Sequence, residues 1–168
     1  LAETHIMIDD TPGISIGEIR AKCRRLAQEE HGLAMIVIDY LQLVSTTSKY
    51  AGNRQQEVAE ISRELKKLAL ELKVPIIACA QLSRAVEGRE DKRPLMSDLR
   101  ESGSIEQDAD IVAFLYRDDY YNKEARMDDN NSVVEFILGK NRSGTTKTVE
   151  LLFKKNTSTF IGYKKEEE

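Results

Sequence analysis

Two short apolar runs, each followed by a polar side chain, constrain the fold of this sequence more than any other feature. The first covers residues 33–38 and is followed by Asp39, and the second covers residues 76–80 and is followed by Gln81. Continuous apolar runs of this length are typical of strands buried on both faces of a parallel sheet. The carboxyl ends of such strands form the ligand crevice of open α/β folds. The runs therefore predict an α/β fold with a site at that edge.

Helical patterns flank these runs. Ser15, with Glu18 three residues later, forms a capping-box pattern, and apolar residues follow at helical spacing until Gly32, which predicts a helix that ends at this glycine. Residues 55–73 carry an apolar stripe typical of a long helix. With a short strand expected at residues 5–8, strands and helices alternate. This order predicts parallel strands joined by right-handed crossovers.

The second half of the chain has a different pattern, with strand-like segments and no helix between them. These segments cover residues 111–116, 133–138, 148–153 and 159–163. The turn at residues 141–145 joins two of them as a hairpin. We therefore expect an antiparallel extension at the far edge of the parallel sheet.

Composition limits the classes of function. The 168 residues are 40% hydrophobic and 32% charged, as in an ordinary globular domain with a sizeable core. No apolar run approaches the ~18 residues of a membrane span, so we expect no membrane partner. A net charge of −4 argues against coating nucleic acid through bulk charge. The two cysteines and two histidines lack the spacing of zinc ligands.

Asp39 and Gln81 carry the chemistry expected at a nucleotide site. An aspartate that follows four apolar residues can hold magnesium, often through water, and this pattern is called Walker B. A glutamine can donate and accept hydrogen bonds at once, so it can contact a terminal phosphate or its attacking water. Two ordinary roles stay open: Asp39 could cap a loop, and the Gln81 amide could form hydrogen bonds with the backbone of a loop.

Two groups of cations are candidate phosphate contacts. Lys140 and Arg142 lie two residues apart at a glycine-bounded hairpin tip, where strand geometry projects both from one side. Together they suit a phosphate. From a projecting tip they could reach the nucleotide of a neighbouring subunit, as an arginine finger does. Residues 84–103 predict a charged loop whose last part, with Arg100 and Gly103, can follow a DNA backbone without reading bases. An ordinary solvated turn and a solvated charged loop are the alternatives.

Five long stretches together resemble DnaB-type hexameric replicative helicases over almost the entire chain. The resemblance implies a RecA-like P-loop NTPase core, with a mostly parallel sheet and an antiparallel hairpin extension, truncated at its N-terminal side. It implies one partial motor domain over residues 1–168. The stretches are IDDTPG at 8–13, MIVIDYLQL at 35–43, residues 53–84, residues 91–121 and GKNRSGTTKTVEL at 139–151.

The resemblance also implies roles for the nucleotide-site residues. Asp39 matches the Walker B aspartate, and Gln81 matches the glutamine that couples the nucleotide state to the DNA loops. Lys140 and Arg142 match the pair that reaches across the subunit interface, with Arg142 as the finger. The implied cofactors are ATP and Mg²⁺.

The resemblance also implies partners, and the protein partners rest on it alone. Arg100, Glu101 and Gly103 match the loop that lines the DNA channel. The family implies a cytoplasmic homohexamer that moves 5′–3′ on single-stranded DNA and unwinds the duplex at the replication fork. Primase and a helicase loader are implied partners of the full-length protein.

One departure from the family pattern changes what we expect of this chain. The P-loop, GxxxxGK[ST], occurs nowhere in the 168 residues, and Tyr40 follows Asp39 where an adjacent catalytic glutamate would stand. The chain also starts without Met. We expect an excised piece, with a processed start as the alternative. Alone, it should neither bind ATP tightly nor unwind DNA, and its uncovered sheet edge and face should favour self-association. The alternatives are a RecA-related or clock-type ring ATPase that does not unwind, and a fragment active only in assembly and DNA binding.

Overall fold

The structure is a computed structural model that describes most of the chain as two compact units. Among the residues described, no helix combines the length and the apolar character that crossing a bilayer needs. The described residues are 4–46, 53–122, 124 and 128–163, without the side chains of residues 100–103.

The first unit, Leu1–Ser83 with Leu99–Ala109, contains a two-stranded parallel sheet. Its strands are β1 (Ile36–Ile38) and β2 (Ile76–Ala78), whose three residue pairs are all parallel. Parallel strands need a long crossover connection, and the one between β1 and β2 carries a helix, as is usual. The helices of this unit are α1 (Ile16–Leu26), α2 (Arg54–Leu72) and α3 (Gly103–Asp108).

Helix α1 begins with the predicted capping box. The Glu18 N–H donates to the Ser15 hydroxyl oxygen at 3.2 Å, and the Ser15 N–H donates to the Glu18 carboxylate at 2.9 Å. These bonds satisfy donors that a helix start leaves open. The helix ends at Leu26, so the prediction that Gly32 ends it is wrong. Gly32, with φ +58°, instead closes a separate turn through its N–H bond to the Glu29 carbonyl.

Helix α2 supplies the centre of the first core. Val58, Ile61, Leu65 and Leu68 are buried at helical spacing, and Ile61 is 0% exposed. This apolar stripe is the one that the sequence predicts, and burial of such a face is the main source of helix stability in proteins. The other buried members of this core are Ile19, Cys23, Leu41, Val44 and Ile105.

Two expectations about strands in this unit are wrong. Residues 5–8 form no strand, because no described strand of the chain runs beside them to take up their hydrogen bonds. Strands β1 and β2 are not buried on both faces: Ile36 and Ile38 pack on the core, whereas Val37 and Ile77 are 58% and 51% exposed. The uncovered sheet face expected from the family resemblance is therefore present in the described residues.

The second unit, Arg84–Asp98 with Asp110–Glu168, contains an antiparallel sheet in the order β3-β4-β5-β6. All four predicted strands are present, and β4 extends beyond its predicted bounds at both ends. The α/β class with a parallel and an antiparallel part is confirmed, although the parallel part has only two strands in the described residues. The strands are β3 (Ile111–Tyr116), β4 (Asn131–Asn141), β5 (Thr148–Lys154) and β6 (Thr159–Gly162).

A β-bulge in β4 sets the register next to the hairpin tip. Gly139 is the extra residue of β4, and Lys140 after it pairs with Val112 of β3. A Cβ atom at Gly139 would lie 2.7 Å from Phe114 Cε2 and 3.1 Å from Met96 Sδ. Because a bulge redirects the residues that follow it, this glycine helps to decide how the hairpin tip is presented.

We expect Gly139→Ala to lower the free energy of unfolding by about 1–3 kcal/mol, because the added methyl group overpacks the contact with Phe114. The measurement is urea denaturation of the chain. The matched control is Gly162→Ala in β6, where a Cβ atom meets nothing within 4 Å. Equal destabilisation by the two substitutions would contradict this account of the bulge.

Candidate functional site

Asp39 stands at the carboxyl end of β1, on backbone that β2 holds in place. The Cys79 N–H donates to the Ile38 carbonyl, and the Leu41 N–H donates to the Cys79 carbonyl, both at 2.9 Å. The peptide bond between Asp39 and Tyr40 is cis. The Asp39 side chain is exposed and has no hydrogen bond or ion pair within the part of the chain that the structure describes. An open carboxylate on fixed backbone suits a hard cation.

The kind of cation site follows from the number of ligands nearby. No group of three or more His, Cys, Asp or Glu side chains that could hold a metal ion is found in the described ranges. Mg²⁺ commonly takes one or two carboxylates and completes its coordination with water and substrate phosphates. The single exposed carboxylate of Asp39 fits a Mg²⁺ ion of this kind, which takes its other ligands from water and phosphates.

Gln42 fastens the backbone of Gln81 to the segment that follows β1. Its Nε2 donates to the Gln81 carbonyl at 3.1 Å, and its Oε1 accepts from the Gln81 N–H at 3.2 Å. The Gln42 carbonyl accepts from Arg54, the first residue of α2. Asp39 and Gln81 thus both follow paired strands at one sheet edge. Sequence reasoning missed Gln42, whose only local signal was an amide between two leucines.

Lys140 and Arg142 lie at the tip of the β4–β5 hairpin, as the sequence predicts. Lys140 is within β4, and Arg142 directly follows its last residue, Asn141. The Arg142 N–H donates to the Asp110 carbonyl at 2.9 Å, and Arg142 Nη1 lies 3.1 Å from Asp110 Oδ1. The Ser143 N–H donates to Asn141 Oδ1 at 3.3 Å, which closes the turn. The backbone of the tip is thus hydrogen-bonded, while the Arg142 side chain stays 61% exposed.

The segment predicted as a DNA loop is helical over much of its length. It begins with the 3₁₀ helix Arg84–Gly88. Arg100 and Glu101 lie in a second 3₁₀ helix, and Gly103 begins α3. The loop prediction is wrong here because 3₁₀ turns satisfy the backbone locally and are too short to show a sequence period. The side chains of these last three residues lie outside the described part, so their predicted DNA role stays a prediction.

Two of the cations in this segment form ion pairs within the second unit. Arg89 donates through Nη1 and Nη2 to both oxygens of Asp98, at 3.2 and 2.8 Å. Arg93 donates to Glu135 at 2.6–3.2 Å, and these bonds raise the pKa of the Arg93 guanidinium. Its guanidinium also lies 5.2 Å from the Tyr116 ring centroid. These contacts give Arg89 and Arg93 a structural role, whereas Arg84 is exposed.

Asp119 is a buried carboxylate that sequence reasoning missed. Its side chain is 4% exposed, and it accepts from the Ser132 hydroxyl at 2.6 Å. Lys155 Nζ and Arg117 Nε each lie 2.9 Å from its oxygens. Burial raises the pKa of Asp119, but the hydrogen bonds from Ser132 and Lys155 and the charge of Arg117 outweigh burial and lower it. No local pattern predicts this cluster, because its members come together only when the sheet forms.

Comparison with known proteins shows what the chain is similar to. Residues 1–162 match the family model described as DnaB-like helicase C terminal domain. The chain is 62% identical over 161 residues to "Replicative DNA helicase DnaC" of Bacillus subtilis and to "Replicative DNA helicase DnaB" of Geobacillus stearothermophilus. Each match covers 96% of this chain and 35% of the relative, so the chain spans about a third of the length of these curated relatives.

Two solved structures share the fold. One is an ATPase domain with a TM-score of 0.87 and 45% identity, and the match covers 97% of this chain and 56% of that one. The other is a DnaB-like replicative helicase, solved to describe its interactions with primase. It has a TM-score of 0.83 and 47% identity, and the match covers 94% of this chain and 38% of that one. The expected RecA-like fold is confirmed.

We expect Gln42→Leu to increase the hydrogen-exchange rate of the Gln81 amide about two- to tenfold. The substitution removes the acceptor of that amide, and a typical hydrogen bond contributes about 0.5–1.5 kcal/mol. The measurement is native-state exchange followed by NMR. The Leu41 amide, which donates to Cys79, is the internal control, and Gln55→Leu on exposed helix surface is the control variant. An unchanged Gln81 rate would show that Gln42 does not fasten this backbone.

We expect Asp119→Asn to flatten the acid side of the stability profile. A carboxylate with a lowered folded pKa stabilises the fold above its unfolded pKa, about 3.9, and this contribution is lost as pH falls through the folded pKa. Asparagine cannot titrate, so the variant is less stable at pH 7 but loses less stability below about pH 5. Urea midpoints between pH 3 and pH 7 measure the difference. Parallel profiles for the two proteins would contradict the prediction.

Proposed function

The chain belongs to the DnaB-like helicase C-terminal domain family, and from this we propose that it is part of the ATP-driven motor of a replicative DNA helicase. The observation that carries the proposal is the placement of Asp39 and Gln81 at one edge of a parallel sheet within this family's fold. The full-length protein works as a cytoplasmic homohexamer. It moves 5′–3′ on single-stranded DNA and unwinds the duplex.

Asp39 and Gln81 serve the nucleotide bound to their own subunit. Asp39 holds the Mg²⁺ of MgATP, in keeping with its exposed carboxylate at the end of β1. When bound, this ion neutralises negative charge on the β- and γ-phosphates. Gln81 presents its amide to the terminal phosphate or the attacking water, and Gln42 keeps the Gln81 backbone in place. Gln81 then passes the nucleotide state to the DNA-contacting segment.

Arg142 and Lys140 serve the nucleotide of a neighbouring subunit. Arg142 extends from a hydrogen-bonded hairpin tip with an exposed guanidinium, whose planar fork suits phosphate oxygens. An arginine supplied in this way contributes ~10³–10⁵ in the rate of phosphoryl transfer. Lys140 adds a second positive charge two residues away. Each ATP site therefore hydrolyses ATP rapidly only when the adjacent subunit is correctly placed.

Arg100, Glu101 and Gly103 contact the DNA strand that runs through the ring. Contacts to phosphate and sugar carry no sequence information directly, as a helicase that must pass over every sequence requires. Primase is a partner of the full-length protein, in keeping with the similar DnaB-like helicase whose interactions with primase have been described structurally. A helicase loader is the second protein partner.

The test of this function uses two variants of the full-length protein, Asp39→Asn and Arg142→Ala. DNA-stimulated ATP hydrolysis is measured for each alone and for rings assembled from both. We expect each alone to lose at least ~10³ in kcat, because the first cannot hold Mg²⁺ and the second lacks the finger. We expect mixed rings to recover activity, because some interfaces then combine an intact Asp39 with an intact Arg142.

The control for that test is Arg25→Ala, which removes an exposed arginine from the last turn of α1 and should leave hydrolysis unchanged. Full activity of Arg142→Ala alone would make Arg142 an ordinary turn residue. A mixture as inactive as its two components would show that Asp39 and Arg142 do not act across an interface.

A further inference from the structure

We propose that Asp110 is a positioning residue that orients the Arg142 guanidinium toward the neighbouring subunit's nucleotide. The inference rests on the function proposed above for Arg142, and it adds a residue of this chain that acts through that arginine. Asp110 itself contacts no substrate in this account.

The sheet register brings Asp110 and Arg142 together. Ile111 begins β3 and pairs with Asn141, the last residue of β4, so Asp110 and Arg142 are the next opposed pair. The Arg142 N–H donates to the Asp110 carbonyl at 2.9 Å, which continues the ladder by one bond. The side chains add the contact from Nη1 to Oδ1 at 3.1 Å. Main chain and side chain of Asp110 thus hold the same arginine.

The geometry of this ion pair leaves the guanidinium able to act elsewhere. Guanidinium has five N–H donors in a planar fork, and the contact with Asp110 engages it through Nη1. The two side chains are 61% and 54% exposed, so a phosphate from outside can reach the arginine. The contact restricts the rotamers of a long side chain before binding, which reduces the ordering that binding requires.

Two further arginines of this unit, Arg89 and Arg93, pair with carboxylates in a different way. Arg89 uses both Nη1 and Nη2 on Asp98, a side chain that is only 7% exposed. Arg93 uses Nε and Nη2 on Glu135. Two-point pairs of this kind occupy the guanidinium and hold structure together. Arg117 contacts Asp119 through Nε, but that aspartate is only 4% exposed. The pair at Arg142 combines a single contact with exposure of both side chains, which suits an arginine that must contact a second partner.

The experiment uses mixed rings of the full-length protein, in which the subunit that supplies Arg142 is known. The Asp39→Asn subunit is inactive at its own site but supplies Arg142, whereas the Arg142→Ala subunit keeps its own site and supplies no finger. Asp110→Asn is added either to the finger-supplying subunit or to the other one. The substitution keeps the side-chain shape and the backbone carbonyl, and it removes the charge by replacing one carboxylate oxygen with an NH2 group.

We expect Asp110→Asn on the finger-supplying subunit to lower the recovered kcat about two- to fivefold, as the loss of an exposed ion pair predicts. KM for ATP should stay the same, because ATP binds to the other subunit. The same substitution on the Arg142→Ala subunit should change nothing. A structural defect would lower activity from either subunit.

The possible results separate this inference from the proposed function. If the parent mixture does not recover activity, the action of Arg142 across an interface is wrong, and the role of Asp110 falls with it. If the parent mixture recovers activity but Asp110→Asn has no effect, or has the same effect on either subunit, only the positioning role is wrong.

Discussion

The backbone pairing of β1 with β2 is the constraint on which the sheet edge with Asp39 and Gln81 depends. The bond from the Cys79 N–H to the Ile38 carbonyl closes the pair, and the bond from the Leu41 N–H to the Cys79 carbonyl carries it past Asp39. Gln42 then adds two further bonds to the backbone of Gln81. A functional side chain held in this way does not depend on its own packing for its position, so it can stay exposed to a ligand.

Packing explains why so short a sheet holds its shape. Each of its strands has only three residues, and an isolated pair of short strands is at best marginally stable in water. Ile36 and Ile38 of β1 pack on the core that α2 dominates, where Ile61 is fully buried. Burial of an aliphatic side chain contributes about 1.5–3 kcal/mol. The helix core therefore stabilises the strand ends from one face, while Val37 points away from it.

How far the sequence predicts this structure depends on whether the partner of a residue is near it in the chain. The capping box of Ser15 and Glu18, the stripe along α2 and the six residues of β3 rest on local bonds or on a repeated period, and all are present. The strand expected at residues 5–8 needs a neighbouring strand, and its apolar pattern alone cannot supply one. Distant partners also explain which residues of the candidate site were missed: Gln42 acquires its role only when β1 and β2 pair, and Asp119 only when Ser132 and Lys155 come beside it. Local context singles out the candidate residues Asp39 and Gln81, but it does not identify the groups that hold their backbone.

The carboxylates of the second unit show why strength of pairing matters for a residue that must engage a neighbour. Asp119 is buried and paired with two cations, and removing one partner of such a cluster typically costs about 3–5 kcal/mol, so its cations are not available for another task. An exposed pair such as Arg142 with Asp110 contributes about 0–1 kcal/mol. A finger worth ~10³–10⁵ in rate stabilises the transition state by about 4–7 kcal/mol. For Arg142 as the proposed finger, the interaction with phosphate would be several times stronger than the ion pair with Asp110, so Asp110 could orient Arg142 without retaining it.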